Sequence, residues 1–247
     1  MRNLDAEVRE HSPRIMKRIA DAKADSDDDD EKAALSSSSF SSEKKRKTDN
    51  KSSGGYWKMV LYRAIQTPNS ALEILRNDHV VVIKDQFPKA KYHFLILSRK
   101  KIEGVADLRR EHVPLLRHME TVAKQITSDC ELDANVSWKL GFHSVPSLGP
   151  LHLHVISDDF QSRCIKTKKH WNSFTTAFFI SIQCVLGQLE TQGHVVIDRN
   201  HCSDLLKQKL ACPLCAFTCS TLPQMLDHYS SCCRRKNARQ LKEEDRE

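Results

Sequence analysis

The stretch GPLHLHVISDDF, residues 149–160, places two histidines one residue apart among aliphatic residues. In a β-strand, residues two apart point to the same face, so His152 and His154 share one side and the aliphatic residues occupy the other. A strand that serves only the core seldom places two titratable residues on one face. The pattern therefore predicts histidines that bind a metal or act on a substrate, and a structural pair is the less favoured interpretation.

The composition is typical of one ordinary domain with smaller additional parts. The 247 residues carry 39 lysines and arginines against 32 aspartates and glutamates, a formal net charge of +7, and 39% of them are hydrophobic. No run approaches the roughly 18 apolar residues that span a membrane, and the N-terminus lacks the apolar segment of a secretory signal. We therefore expect a soluble, intracellular protein. The crowding of cysteines in residues 212–233 indicates a metal site rather than a disulfide framework.

Residues 1–55 have few aliphatic side chains and contain an acidic run, a serine run and a basic cluster. Such a segment buries too little apolar surface to fold alone, so we expect a disordered tail. Its basic cluster predicts either a nuclear import signal, and with it a nuclear location, or an ordinary solvated tail. The cluster consists of Lys44, Lys45, Arg46 and Lys47.

Hydrophobic runs predict a strand, a turn and a strand near the start of the globular region. Residues 79–85 and 92–98 are β-branched or aliphatic and are separated by QFPKAK. Apolar residues at helical spacing then predict a helix over about residues 105–128.

A second pair of strands is predicted around the two histidines. Residues 136–145 alternate in polarity and are expected to pair with residues 151–157 across the PSLGP turn. The segment 166–190 begins with charge and is expected to end as one amphipathic helix capped by Asn172 or Ser173. These elements predict an antiparallel sheet with helices packed on it.

Several motifs in one order resemble the histidine-triad (HIT) nucleotide hydrolases. PSLGPLHLHVIS is similar to the signature in which histidines alternate with hydrophobic residues. VVVIKDQFPKAKYHFLIL, LGFHSVPS, HLHVISDDF and KKHWNSF narrow the resemblance to the aprataxin branch, the DNA-adenylate hydrolases, over about residues 56–233.

The resemblance implies an α+β fold with a HIT-type antiparallel sheet and packed helices over residues 56–200. A small zinc finger over 201–235 and a charged tail over 236–247 would follow. Vertebrate aprataxins carry a forkhead-associated domain before this region, and residues 1–55 do not resemble one. Recruitment to phosphorylated repair-scaffold proteins is therefore not predicted.

The resemblance also assigns roles to the histidines. His152 matches the central histidine of the signature and is the expected nucleophile, while His154 contacts a phosphate oxygen or orients its neighbour. The first histidine of the signature is replaced by Pro150, so the triad is a dyad here. His143, on the preceding strand, is expected to supply the third imidazole, either as a general acid or as a group that holds the adenylate. Ser147 matches a serine that hydrogen-bonds the phosphate.

Residues before and at the start of the second strand are expected to hold the nucleotide. Asp85 matches an acid that binds the ribose hydroxyls. Lys89 and Lys91, in the turn before the strand of His93, face the phosphates or are solvated turn lysines. No catalytic metal is expected, because the imidazoles and Lys89 stabilise the charge that Mg²⁺ stabilises elsewhere.

Basic and aromatic residues predict contact with nucleic acid. Lys168, Lys169, His170 and Trp171 combine phosphate neutralisation with an aromatic ring. Trp57 resembles a residue of the family's helix that wedges against a terminal base pair, or else it anchors the edge of the domain.

A zinc site is predicted near the C-terminus. Cys212 and Cys215 form a Cys-x2-Cys pair, and His228 and Cys232 follow at a spacing that suits tetrahedral zinc. The neighbouring Cys233 is the alternative fourth ligand. We expect a structural zinc ion and a finger that grips DNA, with protein binding as the alternative.

The implied reaction removes AMP from 5′-adenylated ends of nicked or broken double-stranded DNA. A covalent histidine-AMP intermediate forms, AMP is released, and a 5′-phosphate end is restored. We expect the protein to be a monomer. One alternative is a zinc-finger adaptor whose HIT-like domain binds nucleotides without turnover. The other is a general nucleoside phosphoramidase.

Overall fold

A six-stranded antiparallel sheet forms the centre of the protein. The computed structural model describes residues 59–68, 71–130 and 136–244, with the side chains of the last helix described as far as residue 233. The strands are β1 Glu73–Arg76, β2 Val80–Lys84, β3 His93–Ser98, β4 Trp138–His143, β5 His152–Ser157 and β6 Phe179–Ser181. They stand in the order β1-β2-β3-β5-β4-β6, which places the two-histidine strand β5 between two neighbours.

The helices lie on both faces of this sheet, and a short second sheet follows it. Among the described residues, no helix combines the length and the apolar character that a membrane crossing requires. The helices are α1 Val60–Gln66, α2 Val113–Cys130, α3 Lys168–Thr175, α4 Ile182–Gln192, α5 Arg199–Lys207 and α6 Leu222–Glu244. The second sheet pairs β7 Leu210–Ala211 with β8 Thr218–Cys219.

The α+β architecture and both predicted strand pairings are confirmed. Strand β2 pairs with β3 across the QFPKAK turn, and β4 pairs with β5 so that Gly141 lies opposite His154. The helix predicted over residues 105–128 is present as α2, preceded by two short 3₁₀ helices.

The prediction of one helix within residues 166–190 is wrong. Helix α3 ends at Thr175, β6 then pairs with the edge of β4, and α4 begins only at Ile182. The backbone groups of β6 form hydrogen bonds with β4 instead of within a helix. The chain therefore does not continue as one helix from α3 to α4.

The predicted helix cap is also placed differently. Thr167 caps α3, since its hydroxyl accepts the N–H of His170 at 3.2 Å, and Ser181 caps α4 in the same way. The side-chain amide of Asn172 instead donates to two carbonyls at the end of α5 and just beyond it, which ties α3 to α5. Ser173 donates to a carbonyl of its own helix.

The two faces of the central sheet have different partners. On one face, α2 and α4 pack against a large aliphatic core that contains Leu153 and Val155. On the other face, β5 carries His152 and His154, both buried, and Leu61 of α1 packs on the neighbouring strands. The alternation that the sequence shows therefore separates the core from a histidine-bearing surface.

A second core joins the sheet to the C-terminal finger, which we define as residues 210–244. Phe160 and Trp171 from the region after β5 pack against Cys212 and Tyr229 of the finger. The Tyr229 hydroxyl also donates to the Asp158 carbonyl at 2.7 Å. Helix α6 crosses residue 235, where the sequence analysis placed a domain boundary. The predicted tail over residues 1–55 and Trp57 lie outside the described residues.

Candidate active site

His152 is held in the form that a nucleophile requires. Its Nδ1 lies 2.8 Å from the carbonyl oxygen of Pro150, the residue that replaces the first histidine of the HIT signature. Because a carbonyl only accepts, Nδ1 carries the proton, and Nε2 therefore keeps its lone pair. Burial lowers the pKa of His152, which keeps the ring neutral at neutral pH.

His93 and His154 form a hydrogen-bonded pair beside His152. The backbone N–H of Lys89 donates to His93 Nδ1 at 3.1 Å, and Asp85 Oδ2 lies 3.2 Å from the same nitrogen. His93 Nε2 and His154 Nδ1 lie 3.0 Å apart and share one hydrogen bond. Burial lowers the pKa of His93 to about 4, although Asp85 opposes this change, and burial also lowers the pKa of His154 well below its usual value.

His143 completes the group of imidazoles. Its ring centroid lies 4.4 Å from that of His154. Burial, reinforced by His152 and then His93, lowers the pKa of His143 to about 3. The ring is therefore neutral in the protein alone, and the sequence-based role of general acid requires that a bound phosphate raise this pKa. Nε2 of both His143 and His154 is buried and has no hydrogen-bond partner among the described residues.

The histidines open onto a cavity of about 810 Å³. Its volume lies within the range typical of small-molecule sites. The predicted residues Asp85, Lys89, Ser147, Lys169 and His170 line it together with the histidines. Apolar side chains of α1, β2 and β3 line another part of the wall, so the cavity offers a polar, partly basic end and an apolar end.

The turn before β3 has one lysine in the cavity and one outside it. Asp85 accepts the N–H of Phe87 at 2.8 Å, and the Lys89 ammonium donates to the Phe87 carbonyl. Lys91 does not line the cavity. Its N–H donates to Asp159 at 3.0 Å, and its ammonium lies 5.4 Å from the Tyr92 ring centroid, so the structure does not place it near the phosphate site.

The basic segment in α3 is divided in the same way. Lys169 and His170 face the cavity, whereas the Lys168 ammonium donates to the Lys207 carbonyl at 2.7 Å. Trp171 is 1% exposed in the second core, and its Nε1 donates to the Ala211 carbonyl at 3.1 Å. The nucleic-acid contact predicted for Trp171 is therefore incompatible with its position, because a ring enclosed on all sides cannot stack on a base.

The finger brings four predicted metal ligands together. One donor atom each from Cys212, Cys215, His228 and Cys232 lies within 4.8 Å of the others, and Cys215 Sγ is 3.2 Å from His228 Nε2. Three sulfurs and one imidazole are a donor set that suits tetrahedral zinc. Cys233 is not part of this group, so the structure favours Cys232 as the fourth ligand.

Donor atoms of Asp85, His93 and His154 also lie within 4.8 Å of one another. The facing nitrogens of the two histidines already share a hydrogen bond, and His93 Nδ1 accepts a backbone N–H. These contacts use the lone pairs that a metal requires, so we assign the group to hydrogen bonding rather than to a metal.

Sequence reasoning missed two features that shape the cavity. The ring of Phe174 packs against three of the histidines, and Arg199 lines the cavity from α5. The KKHWNSF motif contains Phe174, but no local pattern shows that its ring faces the histidines, and Arg199 lies on a helix that the sequence does not predict.

Comparisons with known proteins identify relatives that span most of the described region. A family model described as scavenger mRNA decapping enzyme C-term binding matches residues 58–170. An aprataxin of Danio rerio is 44% identical over 176 residues, which are 71% of this chain and 53% of the relative. An aprataxin of Gallus gallus is 40% identical over 70% of this chain and 54% of the relative. The chain thus spans about half the length of these two relatives.

Solved structures share the fold. The aprataxin ortholog Hnt3 in complex with DNA is 22% identical, with a TM-score of 0.58 over 78% of this chain and 98% of that chain. Hnt3 from Schizosaccharomyces pombe is 24% identical, with a TM-score of 0.57 over 74% of this chain and 94% of that one.

An aprataxin-like protein of Saccharomyces cerevisiae is 32% identical over 51% of this chain and 72% of the relative. The chain covers more than two thirds of this relative and is more similar still to the longer aprataxins. It therefore belongs to the aprataxin family.

Proposed function

We propose that the protein removes AMP from 5′-adenylated DNA ends, with His152 as the nucleophile. The observation that carries this proposal is the 2.8 Å hydrogen bond from His152 Nδ1 to the Pro150 carbonyl, which leaves Nε2 unprotonated at the cavity. Membership of the aprataxin family and the DNA complex of Hnt3 support the choice of substrate.

In the first step, the Nε2 lone pair of His152 attacks the phosphorus of the AMP group. A nitrogen–phosphorus bond forms, the bond from that phosphorus to the bridging oxygen breaks, and the DNA leaves with a 5′-phosphate. In the second step, water attacks the same phosphorus, the nitrogen–phosphorus bond breaks, and AMP is released. The His152 ring accepts positive charge in the first step and loses it in the second.

The neighbouring groups stabilise the charge on phosphorus. His154 Nε2–H, which has no hydrogen-bond partner among the described residues, would donate to a phosphoryl oxygen, and Lys89 would add a positive charge. An anionic phosphate beside His143 would raise its pKa and allow it to protonate the leaving phosphate. Ser147 at the rim would hydrogen-bond the phosphate, and Asp85 would bind the ribose.

Basic side chains that line the cavity would bind the DNA backbone. Lys169 and Arg199 would supply positive charge, His170, whose pKa burial lowers, would contribute a neutral imidazole, and Trp57 would stack on a terminal base. Cys212, Cys215, His228 and Cys232 would hold a structural zinc ion, which supplies the folding energy of the finger when bound. A nuclear location, from the basic cluster near residue 45, and a monomeric state complete the proposal.

The test is release of AMP from a nicked duplex with a 5′-adenylated end. The unaltered protein should release AMP and, when quenched with alkali, retain labelled AMP on the protein. His152→Ala should lose turnover by several orders of magnitude, because the attacking group is absent. His194→Ala, at an exposed histidine away from the cavity, is the matched control and should be fully active. Binding of the DNA without AMP release by the unaltered protein would instead identify an adaptor.

A further inference from the structure

Lys139, the second residue of β4, faces the same side of the sheet as the histidines. It lies directly opposite Ile156 in the ladder with β5, and Ile156 is two residues after His154. Its ammonium donates to the carbonyl oxygen of Phe174 at 2.6 Å. The same ammonium lies 5.6 Å from the ring centroids of Phe160 and Phe179, within the range of cation–π contacts.

Two of these aromatic partners also contact the histidines. The ring of Phe174 lies 4.7 Å from His143 and 5.4 Å from His154, measured between centroids. The ring of Phe179 lies at 6.1 and 6.2 Å from the same two imidazoles. Gly141 makes the position of Phe179 possible, because a Cβ at residue 141 would lie 2.5 Å from an atom of that ring. One ammonium thus contacts the backbone of Phe174 and the ring of Phe179, the two aromatic residues that pack against His143 and His154.

A lysine is an unusual choice for this position. The Phe174 carbonyl belongs to the last turn of α3, where carbonyls have no partner within the helix, so an added donor satisfies it. Burial lowers the pKa of Lys139, because the charged form loses hydration there, although Asp158 opposes this change. An apolar side chain would avoid that loss, but it would leave the Phe174 carbonyl without this donor. The ammonium therefore ties β4 to the last turn of α3 through a contact that an apolar side chain cannot make.

We propose that Lys139 is a positioning residue that fixes Phe174, and through it the ring planes of His143 and His154. This inference rests on the function proposed above. The ammonium binds the Phe174 backbone, and the Phe174 ring packs against His143 and His154, whose Nε2 atoms would contact the phosphate while His152 attacks it. Loss of this constraint broadens the orientation of both donors, and such misplacement lowers the rate of the chemical step more than substrate binding.

The kinetic test compares Lys139→Met, Lys139→Arg and the control Lys100→Met, which changes an exposed lysine. Lys139→Met should lower kcat on a small adenylated substrate such as AMP-lysine on the order of 10-fold to 100-fold, with KM nearly unchanged. Lys139→Arg should recover most of kcat, because a guanidinium also donates to a carbonyl and stacks on aromatic rings. Urea unfolding of each variant at the assay temperature establishes the folded fraction.

An NMR measurement separates this inference from the proposed function, because it does not depend on turnover. The imidazole ¹⁵N and ring ¹H resonances of His143 and His154 should shift in Lys139→Met, return towards their original positions in Lys139→Arg, and stay unchanged in Lys100→Met. Unchanged imidazole resonances in Lys139→Met would overturn the proposal even if the protein proved inactive on adenylated DNA. A kcat that falls only in proportion to the unfolded fraction would overturn it as well.

Discussion

Acidification below pH 6.5 should destabilise the fold steeply. Burial lowers the pKa of four histidines on one face of the sheet, so all four are neutral in the folded protein at neutral pH. The unfolded chain presents the same side chains to water, where histidine has a pKa of about 6.5. Between this value and the folded pKa, only the unfolded chain takes up the protons. The free energy of unfolding therefore falls as the pH falls through that interval.

The magnitude follows from the pKa values of two of these histidines, His93 and His143. The pKa is about 4 for His93 and about 3 for His143. Each proton bound only by the unfolded chain lowers the free energy of unfolding by about 1.4 kcal/mol per pH unit. Between pH 6.5 and pH 4 the loss is then roughly 3 kcal/mol for each of the two, or about 6 kcal/mol together. The lowered pKa values of His152 and His154 add to this loss. Since domains are stable by about 5–15 kcal/mol, we expect the protein to unfold near pH 4.

The assay is urea unfolding at pH 7, 6, 5.5 and 5, followed by far-UV circular dichroism. His143→Gln removes one of the titrating groups and should reduce the slope of unfolding free energy against pH by about 1.4 kcal/mol per unit below pH 6. Proton competition at the cysteine-rich metal site also varies with pH, but it is common to both proteins and cancels in the comparison. His194→Gln, at an exposed histidine, is the matched control. Equal slopes for the unaltered protein and His143→Gln would refute the assignment of a buried, neutral His143.

Two further predictions concern the core that the sheet and the finger share. Trp171→Ala should lower the free energy of unfolding, measured with urea, by about 3–5 kcal/mol. Trp171→Phe mainly removes the hydrogen bond to the Ala211 carbonyl and should lower the same free energy by about 1–3 kcal/mol. Cys212→Ser should weaken zinc binding, as measured by chelator competition. It should also reduce turnover of AMP-lysine, because Cys212 packs in the same core as Phe174. Cys233→Ser is the control, and full turnover after loss of zinc would show that the finger acts separately.

The strands around the histidines were predictable because their signals are local. Alternation over residues 151–157 and 136–145 sets which side chains face the core, and a short turn between them favours antiparallel pairing. The four finger ligands were predictable for a similar reason, since metal coordination imposes spacing on the sequence. In both cases, the constraint acts within a few residues or through a recurring pattern.

Other features depend on contacts between distant residues, so the sequence alone did not define them. The break between α3 and α4 exists because β6 pairs with β4, some 40 residues earlier in the chain. Trp171 follows a lysine-rich segment, a pattern typical of residues that stack on bases. Its packing against the finger makes it a core residue instead. The low pKa of His143 likewise arises from burial among other imidazoles, which spacing does not reveal.

The two cores explain how one sheet supports both the histidine-lined cavity and the C-terminal finger. The aliphatic core under α2 and α4 stabilises the sheet from the face opposite the histidines, so the cavity can keep polar groups that contribute little to stability. The second core lies beside the cavity, and its Phe174 contacts both the histidines and the residues that adjoin the finger. Phe160 contributes to this junction with a left-handed backbone, φ 49°, a conformation that is rare for an aromatic residue. Such a conformation persists only where the surroundings fix it, and here the Trp171 and Tyr229 rings do so. The orientation of the imidazoles in the cavity is therefore linked to the integrity of the finger through a few aromatic side chains.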